Sequence, residues 1–176
     1  MRGNLQPGAA RHIVVMGVSG CGKSTIAQSL AQRLGWEFAE ADQFHPQANI
    51  DKMTSGIPLT DEDRWPWLRA LAAWIGEQEA AGKTSVITCS ALRRVYRDML
   101  REGAPGVVFA HLQGGANVIS ERMSGRSGHF MPPELLDSQL ETLEPLQEDE
   151  PGVQLDVRLS PEEIVEEALL RLGLDG

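Results

Sequence analysis

Lysine is nearly missing from this chain, with three residues among 176 against thirteen arginines. Cysteine is scarcer still. Two residues cannot form a disulfide framework, and Cys21 falls inside a glycine-rich motif, so a reducing compartment, the cytoplasm, is expected. No apolar run approaches the roughly 20 residues that a membrane-spanning helix needs. The opening "MRGNLQPGAARH" lacks the apolar middle of a secretory signal, and residues 1–11 read as a flexible lead-in. Positive charge is in deficit, with a net charge of −9, which argues against a nucleic-acid partner. Internal repeats and low-complexity blocks are absent as well. An acidic chain that binds anions must therefore gather its few cations locally.

What remains is ordinary in bulk, 41% hydrophobic and 23% charged, and long enough for one domain with a real core. "HIVVM" (His12–Met16) is a buried β-branched run. A helix is expected over 24–34 with Gly35 as its stop, and a strand over 36–42. A long helix follows over 60–81, with Thr60 as N-cap, acidic residues in its first turn and Gly82 as stop. Further strands are expected at 85–89, 106–112 and 153–159. Helices are expected after the third strand through about Arg101, over 116–123, and after Ser160 with Pro161 at the first helical position. Strand and helix alternate throughout, so residues 12–176 are expected to form one three-layer α/β domain, a five-stranded parallel sheet covered by helices on both faces.

"GVSGCGKS" (Gly17–Ser24) satisfies G-x-x-x-x-G-K-S in full and sits between a buried strand and a helix, the context that a P-loop requires. Gly17, Val18, Ser19, Gly20, Cys21, Gly22, Lys23, Ser24 and Thr25 thus form the candidate nucleotide cradle, with ATP as the expected donor. The glycines let successive N–H groups turn inward on phosphate, and the helix N-terminus adds its positive dipole end. Lys23 is expected on the β- and γ-phosphates, and the Ser24 hydroxyl on Mg²⁺. The third strand ends in Cys89 and Ser90 and not in the Asp of a Walker B strand, and no Asn-Lys-x-Asp run for guanine occurs. A second Mg²⁺-associated carboxylate must come from elsewhere. Asp42, expected at the end of the second strand, is the best placed, with Glu40 two residues earlier on the same face.

"ERMSGRSGHFMPPELL" (Glu121–Leu136) carries Arg122, Arg126 and His129 in a Gly/Ser loop. Arginine from a closing loop stabilises the charge spread over a transferring phosphoryl group, so a lid is expected at about 122–134, with Arg126 as its catalytic residue. A surface turn of solvated arginines is the plainer alternative, and His129 either caps, packs or touches ligand.

These features describe a small-molecule kinase. The combination "GVSGCGKST", "ADQFHPQANIDKMTSGIPLTDEDRWPWL", "CSALRRVYRDMLR" and "GRSGHFMPPELLDSQLETLEP" closely resembles the bacterial gluconate kinases, relatives of shikimate kinase, from about His12 to the C-terminal helix. The resemblance implies ATP- and Mg²⁺-dependent phosphorylation of D-gluconate on its 6-hydroxyl, and a homodimer. It places Asp42 beside the acceptor hydroxyl, and brings "FHP" (Phe44–Pro46), Asn49, Lys52, Arg64, Ser90 and Gln139 into the match, within a substrate-binding region of about 42–82. The family often has lysines where this chain has Arg93 and Arg94, and related kinases often have Asp or Gly near Glu40. From chemistry alone, gluconate needs a cation for its carboxylate and many partners for its hydroxyls. Arg64 and Arg93 suit the first need; His45, Asn49, Lys52, Ser90 and Gln139 suit the second. His45 and Asn49 are equally compatible with capping roles, and Asp42 with a structural strand end. Trp65, Trp67 and Trp74 read as core, and "QEDEP" (Gln147–Pro151) as a solvated acidic loop. Another kinase of the same fold, acting on shikimate or a nucleoside monophosphate, stays open, as does an ATP-sensing switch.

Overall fold

The computed structural model describes residues 10–17, 22–57, 59–104, 106–113 and 142–174. Its sheet is formed by β1 (His12–Met16), β2 (Glu37–Glu40), β3 (Ser85–Thr88), β4 (Val107–Gln113) and β5 (Gly152–Asp156). The strands lie in the order β2-β3-β1-β4-β5, every neighbouring pair parallel. The described helices are α1 (Lys23–Leu34), α2 (Gln47–Thr54), α3 (Asp61–Ala80), α4 (Arg94–Arg101) and α5 (Pro161–Arg171), with a 3₁₀ turn at Ala41–Phe44.

β1 shows why both faces are covered. All five of its residues are buried, and successive side chains point to opposite faces. Ile13 and Val15 pack with Ile26, Leu30, Ile164 and Leu169 of α1 and α5. Val14 and Met16 pack with Leu68, Leu71, Tyr96 and Leu100 of α3 and α4. A strand sandwiched between helices reads as a continuous apolar run, as "HIVVM" does.

Most expected boundaries hold within a residue or two, and the caps explain why. Thr60 accepts the Asp63 N–H at 3.2 Å, while Asp63 accepts the Thr60 N–H at 2.9 Å, a reciprocal box that starts α3. Ser160 and Glu163 do the same for α5. Two strands are shorter than expected. β2 stops at Glu40 because the chain tightens into the 3₁₀ turn, so Asp42 lies beyond the strand and does not share a strand face with Glu40. β5 stops at Asp156, whose carboxylate accepts the Arg158 N–H at 2.9 Å and turns the chain. The expected helix at 116–123 and the lid at 122–134 lie outside the described residues.

Candidate active site

The donor side is built on backbone. Gly17 (φ 147°), just after β1, and Gly22 (φ 94°), just before α1, take positive angles that a side chain would resist. α1 has no acidic residue in its first turn to oppose its positive end. Lys23 Nζ donates to the Gly17 carbonyl at 3.0 Å, so its side chain reaches back to the end of β1. Ser24 Oγ donates to the Glu40 carboxylate. Thr25 is exposed. Val18, Ser19, Gly20 and Cys21 lie outside the described residues.

Asp42 sits in the 3₁₀ turn beyond the carboxyl end of β2, and two clasps hold the start of that turn. The Ala41 N–H donates to Thr88 Oγ1 at 3.2 Å, and the buried Trp67 indole N–H donates to the Ala41 carbonyl at 2.8 Å. The Cys89 thiol, at the end of β3, reports what surrounds this point. Burial pushes it up to about 12, a backbone hydrogen bond from Ala91 pulls against that, and the charges of Lys23, Asp42 and Arg64 all act on it. Ser90 takes part through its backbone, its carbonyl accepting the Gly17 N–H at 3.3 Å.

The candidate acceptor wall is built on side chains. The His45 ring stacks on Trp67 with centroids 4.1 Å apart and planes at 12°. Burial, helped by Arg64, pushes its pKa down to about 4, so the imidazole is neutral near pH 7. Its Nδ1 lies 3.2 Å from Asn49 Nδ2, which has only protons to offer; Nδ1 therefore accepts and Nε2 carries the hydrogen. Asn49 is buried and also donates to the Asp63 carbonyl at 2.8 Å, so both of its amide hydrogens are used within the protein. Lys52 pairs with Asp63 at 2.7 Å, and this hydrogen bond, with that from the Thr60 N–H, brings the Asp63 carboxyl down to about 2. Asn49 and Lys52 thus tie α2 to the start of α3.

Tyr96 is the hub of the rest. Its hydroxyl donates to Asp61 and accepts from Arg64 Nη1 at 3.0 Å, and the Arg64 and Arg93 guanidinium groups lie 5.3 and 5.7 Å from its ring centre. Arg93 pairs with Asp61 and reaches Glu144 at 3.5 Å. The Tyr96 hydrogen bond, and after burial's opposing effect the Arg93 pair, holds the Asp61 carboxyl below its usual range. Arg93 is consequently committed to two carboxylates of its own chain, whereas Arg64 bonds to the Tyr96 hydroxyl. Arg94 points away, clamped by Asp149 at 2.8 and 2.6 Å.

Arg122, Arg126, His129 and Gln139 lie outside the described residues. Sequence reasoning missed Trp67, Tyr96, Asp61 and Asp63 as site-shaping residues. A signal existed for one of them: Trp67 follows Arg64 at the three-residue spacing that shares a helix face. Among the described residues no group of three or more His, Cys, Asp or Glu side chains could hold a metal, and no helix is long and apolar enough to cross a membrane.

Comparison with known proteins places the chain in a family. Residues 13–146 match a family described as an AAA domain, a P-loop class. A gluconokinase of Gluconobacter oxydans is 48% identical over 159 residues, covering 90% of this chain and 89% of the relative. The thermoresistant gluconokinase of Escherichia coli is 46% identical, covering 80% of each chain. Among solved structures, a sugar kinase from Janibacter is 60% identical with a TM-score of 0.91 over 94% of this chain and 95% of that one. A gluconokinase from Sinorhizobium meliloti is 50% identical with a TM-score of 0.84 over 95% and 93%. Shikimate kinase from Aquifex aeolicus, 17% identical with a TM-score of 0.64, shares the fold. With a P-loop at the carboxyl edge of its parallel sheet and relatives alike over nearly its whole length, this chain belongs to the gluconokinase family of P-loop kinases.

Proposed function

We propose that the chain transfers the γ-phosphoryl group of ATP to the 6-hydroxyl of D-gluconate, giving ADP and 6-phosphogluconate. The observation that supports the assignment of roles is the layout beyond the carboxyl ends of the strands, with Lys23 bonded back to the Gly17 carbonyl, Asp42 in the 3₁₀ turn that follows β2, and Arg64 held by the Tyr96 hydroxyl. The backbone from Gly17 to Gly22 and the N-terminus of α1 hold the phosphates, with Lys23 on the β- and γ-groups. Asp42 orients the 6-hydroxyl and takes its proton as that oxygen bonds to phosphorus and the bond to the ADP oxygen breaks. Arg64 receives the gluconate carboxylate, and the His45 Nε2–H donates to a substrate oxygen. Ser90 lines the same side, and Arg93 backs it through Asp61. Asn49 and Lys52 shape the wall by fixing α2 on α3.

The hydroxyl and carboxylate of Ser24 and Glu40, in contact with each other, are hard oxygen donors that fit Mg²⁺, and Asp42 stands nearby as a further candidate. When bound, Mg²⁺ neutralises charge on the β- and γ-phosphates. From the sequence pattern, Arg122 and Arg126 close over the nucleotide, and His129 and Gln139 add contacts on the acceptor side. A homodimer working in the cytoplasm completes the reading.

Its test is ADP release with Mg-ATP against gluconate, shikimate, AMP and several sugar acids. Gluconate should stimulate release most. Equal stimulation by AMP would move the acceptor site to nucleotides, and acceptor-independent release would make the chain a nucleotide switch.

A further inference from the structure

The most deeply buried charge in the described structure belongs neither to the phosphate loop nor to the acceptor wall. Arg97 and Glu150 form an ion pair whose side chains are both 0% exposed. All five guanidinium hydrogens have acceptors. Nε and Nη2 donate to the two Glu150 oxygens at 2.6 and 3.0 Å. Nη1 donates to the Ala91 and Glu144 carbonyls, both at 2.9 Å, and Nη2 reaches the Pro145 carbonyl at 3.4 Å. Glu150 also accepts the Gln147 N–H at 3.0 Å. "QEDEP", which composition marks as a solvated loop, therefore holds a fully buried carboxylate.

Well-packed apolar residues commonly stabilise a core as well as a buried ion pair does. They cannot pin three carbonyls on two chain segments, and one of those carbonyls stands out. Ala91 is buried and has φ 47°, the one non-glycine residue with positive φ among those described. Such a conformation persists only when its surroundings over-determine it, and it clusters at functional turns. Here the Ala91 carbonyl is held by Arg97. The residue before it, Ser90, takes the N–H of Gly17, the first residue of the phosphate loop. The Glu144 N–H, donating to the Leu92 carbonyl at 2.6 Å, fastens the same turn to the segment that enters β5.

We infer that Arg97, through Ala91, is a positioning residue that holds the 89–91 turn in its left-handed form and so keeps the phosphate loop and the acceptor wall aligned for transfer. Misalignment by a fraction of an ångström costs the rate of transfer more than it costs binding of either substrate. The inference rests on the kinase reading above. It does not depend on which groups touch gluconate.

The test replaces the pair together, Arg97→Met with Glu150→Met, so that no charge is left buried alone. Thermal unfolding should shift by less than about 5 °C. The turnover number should fall at least about tenfold, equivalent to roughly 1.4 kcal/mol of barrier, with KM for ATP within about threefold. A folded double variant whose turnover stays within about twofold of wild type overturns the inference, since a purely structural pair would move the melting temperature alone. If the double variant does not fold, Arg97→Lys decides by the same kinetic comparison: it keeps the charge, but one nitrogen cannot span Glu150 and carbonyls on both segments. Wild-type protein assayed alongside separates the two failures. A wild type unresponsive to gluconate undoes the functional reading and this inference with it. A responsive wild type with an unaffected variant overturns the inference alone.

Discussion

The two halves of the site are made in different ways. The phosphate loop is local: Gly17, Gly22, Lys23 and Ser24 are consecutive or nearly so, and the long-range side-chain partner of Ser24, Glu40, is 16 residues away. The acceptor wall is woven from afar, with Asn49 bonded to Asp63 across 14 residues, Arg64 to Tyr96 across 32 and Arg93 to Glu144 across 51. The physical reason lies in the ligands. Phosphates are alike in every nucleotide, and a curl of backbone N–H groups with a helix end meets them without special side chains. A polyhydroxylated acid has no such generic receptor, so hydrogen-bonding groups must be brought together by tertiary packing.

Asp42 lies at the seam between these halves, and its substitution should have the largest effect. Asp42→Asn is nearly isosteric and leaves the clasps of Thr88 and Trp67 on Ala41 in place, so the 3₁₀ turn should keep its shape. Turnover should fall by about 10²- to 10⁴-fold, the usual contribution of a positioned base, with KM for gluconate within about threefold. Steady-state ADP release at saturating ATP checks this. A loss below about tenfold would remove the base from the mechanism and leave transfer to the donor half alone.

Tyr96→Phe probes the woven half by itself. It deletes the hydroxyl that joins Arg64 to Asp61 while keeping the ring between the two guanidinium groups. Arg64 then loses a partner that sets its direction. KM for gluconate should rise about tenfold, roughly 1.4 kcal/mol, with KM for ATP nearly unchanged. A rise in both constants would mean that the wall and the loop are one mechanical unit rather than two.

How much of this was legible in the sequence divides along the same line. The strand before Gly17 and the helix that starts at Lys23 were legible from local pattern, and the caps at Thr60 and Ser160 could be read because both boxes close within three residues. β2 was read two residues too far at its C-terminal end, since the clasp that ends it comes from Thr88 and Trp67, 47 and 26 residues from Ala41. Arg93 illustrates the limit best. Its guanidinium suits a substrate carboxylate by chemistry, yet Asp61 and Glu144 already hold it, and nothing near it in sequence announces either partner. "QEDEP" failed for the same reason, because Glu150 is buried by an arginine 53 residues away.

His45 provides a titration that belongs to the woven half alone. Its pKa of about 4 in the folded chain, against 6.5 when unperturbed, means that the unfolded chain binds more protons between those values. Its contribution to stability is therefore complete above pH 6.5, declines as pH falls through that window, and levels off below about 4. Imidazole resonances of His45 should titrate with a midpoint near pH 4. His45→Gln should flatten the slope of unfolding free energy between pH 4 and 6.5. A midpoint near 6.5 would show that the ring is not desolvated against Trp67, and the wall would be looser than described.

The smallest effect gives the cleanest comparison, because the chain carries the same capping box twice. Thr60 with Asp63 starts α3, and Ser160 with Glu163 starts α5, on opposite faces of the sheet. Thr60→Ala and Ser160→Ala each remove one cap acceptor, and each should cost about 1 kcal/mol, or a melting shift of about 2–4 °C for a chain of this size. Their kinetics should differ. Asp63 holds Lys52 by its carboxylate and Asn49 by its carbonyl, and Arg64 is the next residue, so a frayed α3 start loosens the acceptor wall. The first turn of α5 carries none of those residues. Thr60→Ala should therefore raise KM for gluconate about two- to threefold, and Ser160→Ala should leave it unchanged at the same loss of stability. Equal kinetics in the two variants would show that the wall draws its order from the Tyr96 hub, with the cap at Thr60 supplying stability alone.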